Sequence, residues 1–216
     1  MAGAARALGY QYLAVTDHSK RVTMAHGFDA RRLGQRIEEI DRLNGKLKGI
    51  VLLKSIELDI LKDGSLDLAD AILKELDLTV CSVHYHFNLP RKEQTERIIR
   101  AMDNPYFNIL AHPTGRLINE REPYDVDMER LLEAAAERGC LLELNGHPDR
   151  LDLSDVHAKM AKERGVRVAL STDAHRTSDL GYMRFGIGQA RRGWLEPEDV
   201  LNSRTWVEVK KLLKRK

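Results

Sequence analysis

Short, continuous apolar runs alternate with amphipathic stretches at helical spacing along the whole 216-residue chain, and that rhythm constrains the fold more than any other feature. The runs at 12–16, 50–57, 78–83, 108–111, 140–144 and 166–171 are too short for helices. They carry apolar residues at consecutive positions, as strands do when helices cover both faces of a sheet. Between them the spacing predicts helices over 2–8, 29–47, 68–76, 93–102, 128–138, 154–164 and 199–214, several of them stopped by glycine. Leu33, Ile37, Ile40 and Leu43 form the apolar face of the longest. Six such units without a dinucleotide-binding glycine fingerprint predict an α/β chain of TIM-like barrel type. Periodicity alone leaves an open doubly wound sheet as the alternative. The length suits one domain over 1–216.

Charge gives the chain no global field: 35 Lys and Arg stand against 33 Asp and Glu, so nothing draws it as a whole onto nucleic acid or a membrane. The basic run from Lys210 to Lys216 reads as a solvated helix end answering the helix dipole rather than as a phosphate-binding tail. Cys81 and Cys140 lie in or beside apolar runs and read as buried hydrophobes of a reducing compartment. No apolar run approaches a membrane span, and the first residues lead into no signal-type segment, which predicts a cytoplasmic protein without a membrane partner.

Polar residues fall where the predicted strands end. The first ends in Thr16-Asp17-His18, the second at Glu57, the third at His84 and the fourth at His112. The fifth ends at Asn145 and the sixth in Thr172-Asp173-Ala174-His175. In a β/α barrel these ends share one face, the face that carries the active site. One strand-end histidine is ordinarily a hydrogen-bonded structural residue. Four, on a rim with Glu57 and Asp173, point to metal. Imidazole and carboxylate without cysteine suit zinc, manganese or iron, with magnesium admissible. His26 could wall the site, whereas His86 and His147 rank below the others as ligands. His157, inside a predicted helix, reads as a surface residue. Arg116 and Arg150, in the loops after the fourth and fifth strands, fit phosphate binding by bidentate geometry. Ion pairs to Glu120, Glu122 or Asp152 are the alternative.

Several stretches together carry a resemblance: Thr16-Asp17-His18-Ser19, Ile56-Glu57-Leu58-Asp59-Ile60 with Asp63 to Asp67, Ser82-Val83-His84, His112-Pro113-Thr114-Gly115-Arg116-Leu117 and Leu142 to Asn145. Ser171-Thr172-Asp173-Ala174-His175, the run from Met183 to Trp194, and Asn202 complete it. The chain resembles the PHP (polymerase and histidinol phosphatase) family over nearly its whole length, and within it the branch joined to bacterial and archaeal family X DNA polymerases. The resemblance implies a distorted TIM-like (β/α)7 barrel with up to three divalent metals. His18, Glu57, His84, His112, Asp173 and His175 match family ligands, Glu57 the bridging carboxylate. Glu57, Asp173 and Arg116 are then expected to carry the chemistry. The implied reaction is phosphoester hydrolysis by a metal-activated hydroxide, commonly 3′–5′ exonuclease action on DNA ends, in a polypeptide that also holds a polymerase portion.

Two departures bear on this expectation. Ser55 stands where the family usually has glycine, and the chain begins in the helix that follows the family's His-x-His strand. Fewer ligands, low turnover and an unpaired strand edge that self-associates or pairs with another segment are the expected consequences. A non-catalytic accessory barrel and a phosphatase of small monoesters are the rival readings.

Overall fold

A computed structural model describes residues 1–213. Six strands form one parallel sheet in sequence order: β1 (Tyr12–His18), β2 (Val51–Asp59), β3 (Val80–Ser82), β4 (Ile109–Leu110), β5 (Leu141–Asn145) and β6 (Val168–Ser171). The sheet curls into a half-barrel, and β1 and β6 do not meet.

Helices fill every connection: α1 (Ala2–Ala7), α2 (Ala30–Asn44), α3 (Asp70–Leu73), α4 (Arg91–Met102), α5 (Met128–Arg138), α6 (Asp155–Glu163), α7 (Met183–Arg192) and α8 (Trp206–Leu213). Side-chain oxygens start several of them. Asp29 accepts from Arg32 N at 2.8 Å, Asp127 from Arg130 N at 3.2 Å and Ser154 from His157 N at 3.2 Å. The expected helix over 199–214 is shorter, because 3-10 turns at Pro197–Asp199 and Leu201–Ser203 precede α8. Lys214 to Lys216, the end of the basic run, lie outside the described residues. The helix α7 was legible as a motif but not as a helix, since its glycines weaken the propensity signal.

Strand residues alternate between two apolar layers. Ile56, Leu58, Cys81, Leu110, Leu142, Leu144 and Val168 face outward onto α2 and α4 to α7, through Leu33, Ile98, Leu131, Ala158 and Ala190. Leu53, Ile109, Leu141 and Ala169 face the hollow of the curl, which Leu201 and the α8 residues Val209 and Leu213 close. Cys81 and Cys140 are both buried in the outer layer.

The two sheet edges are finished differently. Beside β6, Asn202 takes the place of a strand: its Oδ1 accepts from Leu170 N at 2.7 Å and its Nδ2 donates to Leu170 O at 3.0 Å. Val200 bridges Val168 alongside. All seven residues of β1 are half-buried, as on an edge, whereas all five of β5 are buried. Among the described residues β1 pairs with β2 alone, whereas the outer edge of β6 is covered by Val200 and Asn202.

Candidate metal centre

The strand alternation that fills the hollow with apolar side chains at one end brings polar ones to the other. Along β2 the inward series runs Leu53, Ser55, Glu57, Asp59, and along β5 Leu141, Glu143, Asn145. Parallel pairing sets His18 directly beside Glu57.

Glu57 is the hub. Its Oε1 lies 3.0 Å from His112 Nε2 and 3.2 Å from His84 Nε2, and its Oε2 lies 3.6 Å from His18 Nδ1. The three imidazoles meet edge to face, with ring centroids 5.2 Å apart for His18–His84 and 5.5 Å for His84–His112. Each comes from a different strand end, so no local stretch builds the cluster.

A second layer of groups fixes the first, Asp59 and Glu143 buried and Asp173 half-buried. Asp59 accepts from His84 N at 3.1 Å and faces His84 Nδ1 at 3.4 Å. Glu143 accepts from His112 N at 2.6 Å and from Ser171 Oγ at 2.5 Å. Asp173 Oδ2 accepts from Asn145 Nδ2 at 3.2 Å and pairs with Arg150 Nε at 3.3 Å. His112 and Asp173 both hold left-handed backbone angles, φ 28° and 50°, which turn the chain sharply at the rim. Glu143 and Asp59 stand among the motif residues, yet only their neighbours Asn145 and Glu57 end the predicted strands. The signal that would have found them is the inward alternation itself.

The remaining residues separate. His175 is exposed, its Nδ1 2.8 Å from the Asp173 carbonyl and its N donating to Asp179. His86 and His26 are exposed, and His147 packs edge-on against Tyr182. His157 is half-buried rather than on the surface, because α6 turns that side of the helix toward Asp152 and Arg116. Arg116 donates to the carbonyls of Arg150 and Leu151, and Arg150 pairs with Asp173, so neither makes the ion pairs to Glu120, Glu122 or Asp152. Asp152 instead accepts from Thr114 N and Oγ1, each at 2.9 Å, and anchors the loop after His112.

The electrostatics suit a cation. Burial would raise the Glu57 carboxyl, but hydrogen bonds from His112 and His84 overcome it and hold the group well below its usual range. Burial would lower His84, yet the carboxylates of Asp59 and Glu57 push it up to about 9. Burial also lowers His18 and lifts Glu143 to about 7. The imidazolium of His84 thus supplies the positive charge that a divalent ion would supply between two buried carboxylates. One ligand atom from each of His18, Glu57 and His84 lies within 4.8 Å of the others, and buried Nδ1 of His112 has no hydrogen-bond partner among the described residues. Nitrogen and carboxylate donors in this arrangement fit a transition metal.

A curled parallel half-barrel with imidazoles and carboxylates gathered at the C-terminal rim is a scaffold able to hold a metal ion at the face where β/α barrels carry their active sites. No model of a known protein family matches the chain. It is 44% identical over 215 residues to the DNA polymerase/3′-5′ exonuclease PolX of Bacillus subtilis, an alignment that takes in all of this chain and 38% of that protein. It is 31% identical over 222 residues to a probable phosphatase of Thermoanaerobacter, covering 96% of this chain and 84% of that one. The fold matches histidinol phosphate phosphatase of Lactococcus lactis, solved with zinc, L-histidinol and phosphate. The TM-score is 0.59 at 15% identity, over 90% of this chain and 86% of that chain. The chain belongs to the PHP family. No described helix is long and apolar enough to cross a membrane.

Proposed function

We propose that residues 1–216 act as the phosphodiesterase unit of a family X DNA polymerase and remove nucleotides from DNA 3′ ends. One observation carries this reading: the likeness to the polymerase/exonuclease of Bacillus subtilis runs through the whole chain at 44%, against 31% for the phosphatase. His18, Glu57, His84 and His112 would hold divalent metal, zinc, manganese or iron, with Asp173 and His175 completing the set. Metal held there supplies Lewis acidity and lowers the pKa of water to the neutral range. Glu57, with both oxygens turned to imidazoles, would be a carboxylate ligand shared within the centre. Asp173, steadied by Asn145 and Arg150, stands across the rim from it. Arg150 offers its guanidinium to the substrate phosphate. Arg116 fixes the loop that carries Arg150 through its hydrogen bonds to the Arg150 and Leu151 carbonyls.

A monoester phosphatase is the second reading, favoured by the relatives named as probable phosphatases. The test compares release of single nucleotides from a 5′-labelled DNA strand with hydrolysis of p-nitrophenyl phosphate, by protein replete with manganese. A ladder shortening from the 3′ end with slow monoester turnover is expected. Faster monoester turnover would establish the phosphatase. No turnover of either ester in metal-loaded protein would leave the accessory-barrel reading.

A further inference from the structure

Asp59 is a wholly buried carboxyl group that reaches the proposed metal centre only through His84. A buried carboxylate is costly unless paired and hydrogen-bonded. Asp59 is both. Its Oδ2 lies 2.9 Å from Arg21 Nε and its Oδ1 accepts from His84 N at 3.1 Å, while its backbone N donates to Asp67 Oδ1 at 3.1 Å and Ser19 Oγ at 3.2 Å. Arg21 is held in turn: its N donates to Asp67 Oδ2 at 3.3 Å, its carbonyl accepts from Tyr85 Oη at 2.9 Å, and its guanidinium covers the Tyr85 ring at 5.0 Å. Tyr85 follows His84, so the loop after β1 is fastened to the residue next to that histidine.

We propose that Asp59, clamped by Arg21, is a positioning residue that sets the orientation and metal affinity of His84. Asp59 Oδ1 takes the His84 backbone N–H and faces Nδ1, while Nε2 points to Glu57. A carboxylate on Nδ1 fixes the ring and its tautomer, keeps the Nε2 lone pair free for an ion and raises its basicity. Arg21, 2.9 Å from Asp59 Oδ2, holds the carboxyl group with its other oxygen turned toward the ring. Ser82 Oγ, 3.1 Å from Nδ1, is the competing partner. The proposal rests on the metal-centre reading of His18, Glu57 and His84, and holds for either ester substrate.

Titration of the metal-free protein with Co²⁺, followed by its visible absorption and by elemental analysis, tests it. The native chain should bind Co²⁺. If it does not, the metal-centre reading fails and this proposal with it. Asp59→Asn should bind roughly 10- to 100-fold more weakly, with a shifted absorption band, at unchanged stoichiometry per folded molecule. Should Asp59→Asn not fold, Arg21→Ala at the partly exposed end of the pair gives the same readout, with Arg21→Lys recovering part of the affinity. Native affinity and band in folded Asp59→Asn, or in Arg21→Ala where that variant is the one measured, would overturn the proposal. So would loss confined to Ser82→Ala.

Discussion

His112 Nε2 rests 3.0 Å from Glu57 Oε1 although 55 residues separate them, and the same oxygen lies 3.2 Å from His84 Nε2. One carboxylate therefore joins three strand ends. Replacing it with Gln should lower metal content at more than one ion and reduce turnover roughly 100-fold or more, since lost charge stabilisation of this kind costs on that order. Elemental analysis beside steady-state kinetics measures both. Loss of one ion only would mean that Glu57 serves a single metal.

Arg150 should act on substrate rather than on folding. Arg150→Ala is expected to raise KM for a phosphodiester roughly 10-fold, the worth of one charge-assisted hydrogen bond at about 1.5 kcal/mol. Arg150→Lys should recover part of it, because a lysine lacks the planar fork. Metal content measured alongside separates this effect from the loss of the Asp173 ion pair. An unchanged KM in both variants would assign Arg150 to that ion pair alone.

Gly115 holds φ +64°, and a Cβ there would stand 2.4 Å from Tyr124 Cε1. Gly115→Ala combines backbone strain with a clash against a buried ring. The loop from His112 to Arg116 should shift, with a stability loss of at least about 1–3 kcal/mol in chemical denaturation. A variant as stable as the native chain would show that Tyr124 can move aside.

Leu53 lies beneath Glu57 in the hollow of the sheet and is almost wholly buried. Leu53→Ala should cost about 2–5 kcal/mol while the metal stoichiometry of the folded protein stays as it was. Thermal unfolding paired with elemental analysis checks the separation of core from site.

Asn202 covers the outer edge of β6 with its side-chain amide. Asn202→Ala should leave the Leu170 N–H and carbonyl without that partner, lower stability by about 1–3 kcal/mol and increase concentration-dependent association. Light scattering over a range of concentrations reads the second effect, and a mass independent of concentration in both proteins would show that neither β6 nor β1 recruits a further strand.

Much of this arrangement was written locally. Apolar runs such as Leu141 to Leu144 and the helical spacing of Leu33, Ile37 and Ile40 specify strands and helices through neighbours a few residues away. Glu57, His84 and His112 stood out because each polar residue ends an apolar run. Tertiary structure alone decided which of them meet. Curling the sheet set Glu57 among three imidazoles and left His175 exposed, although His175 lies in the most specific motif. It also turned Arg116 onto backbone carbonyls and brought Asp59 to Arg21 and His84, pairings separated by tens of residues. Strand and helix follow from period and propensity along the chain. Which side chains share a charge follows from pairing register and curl, which act across it.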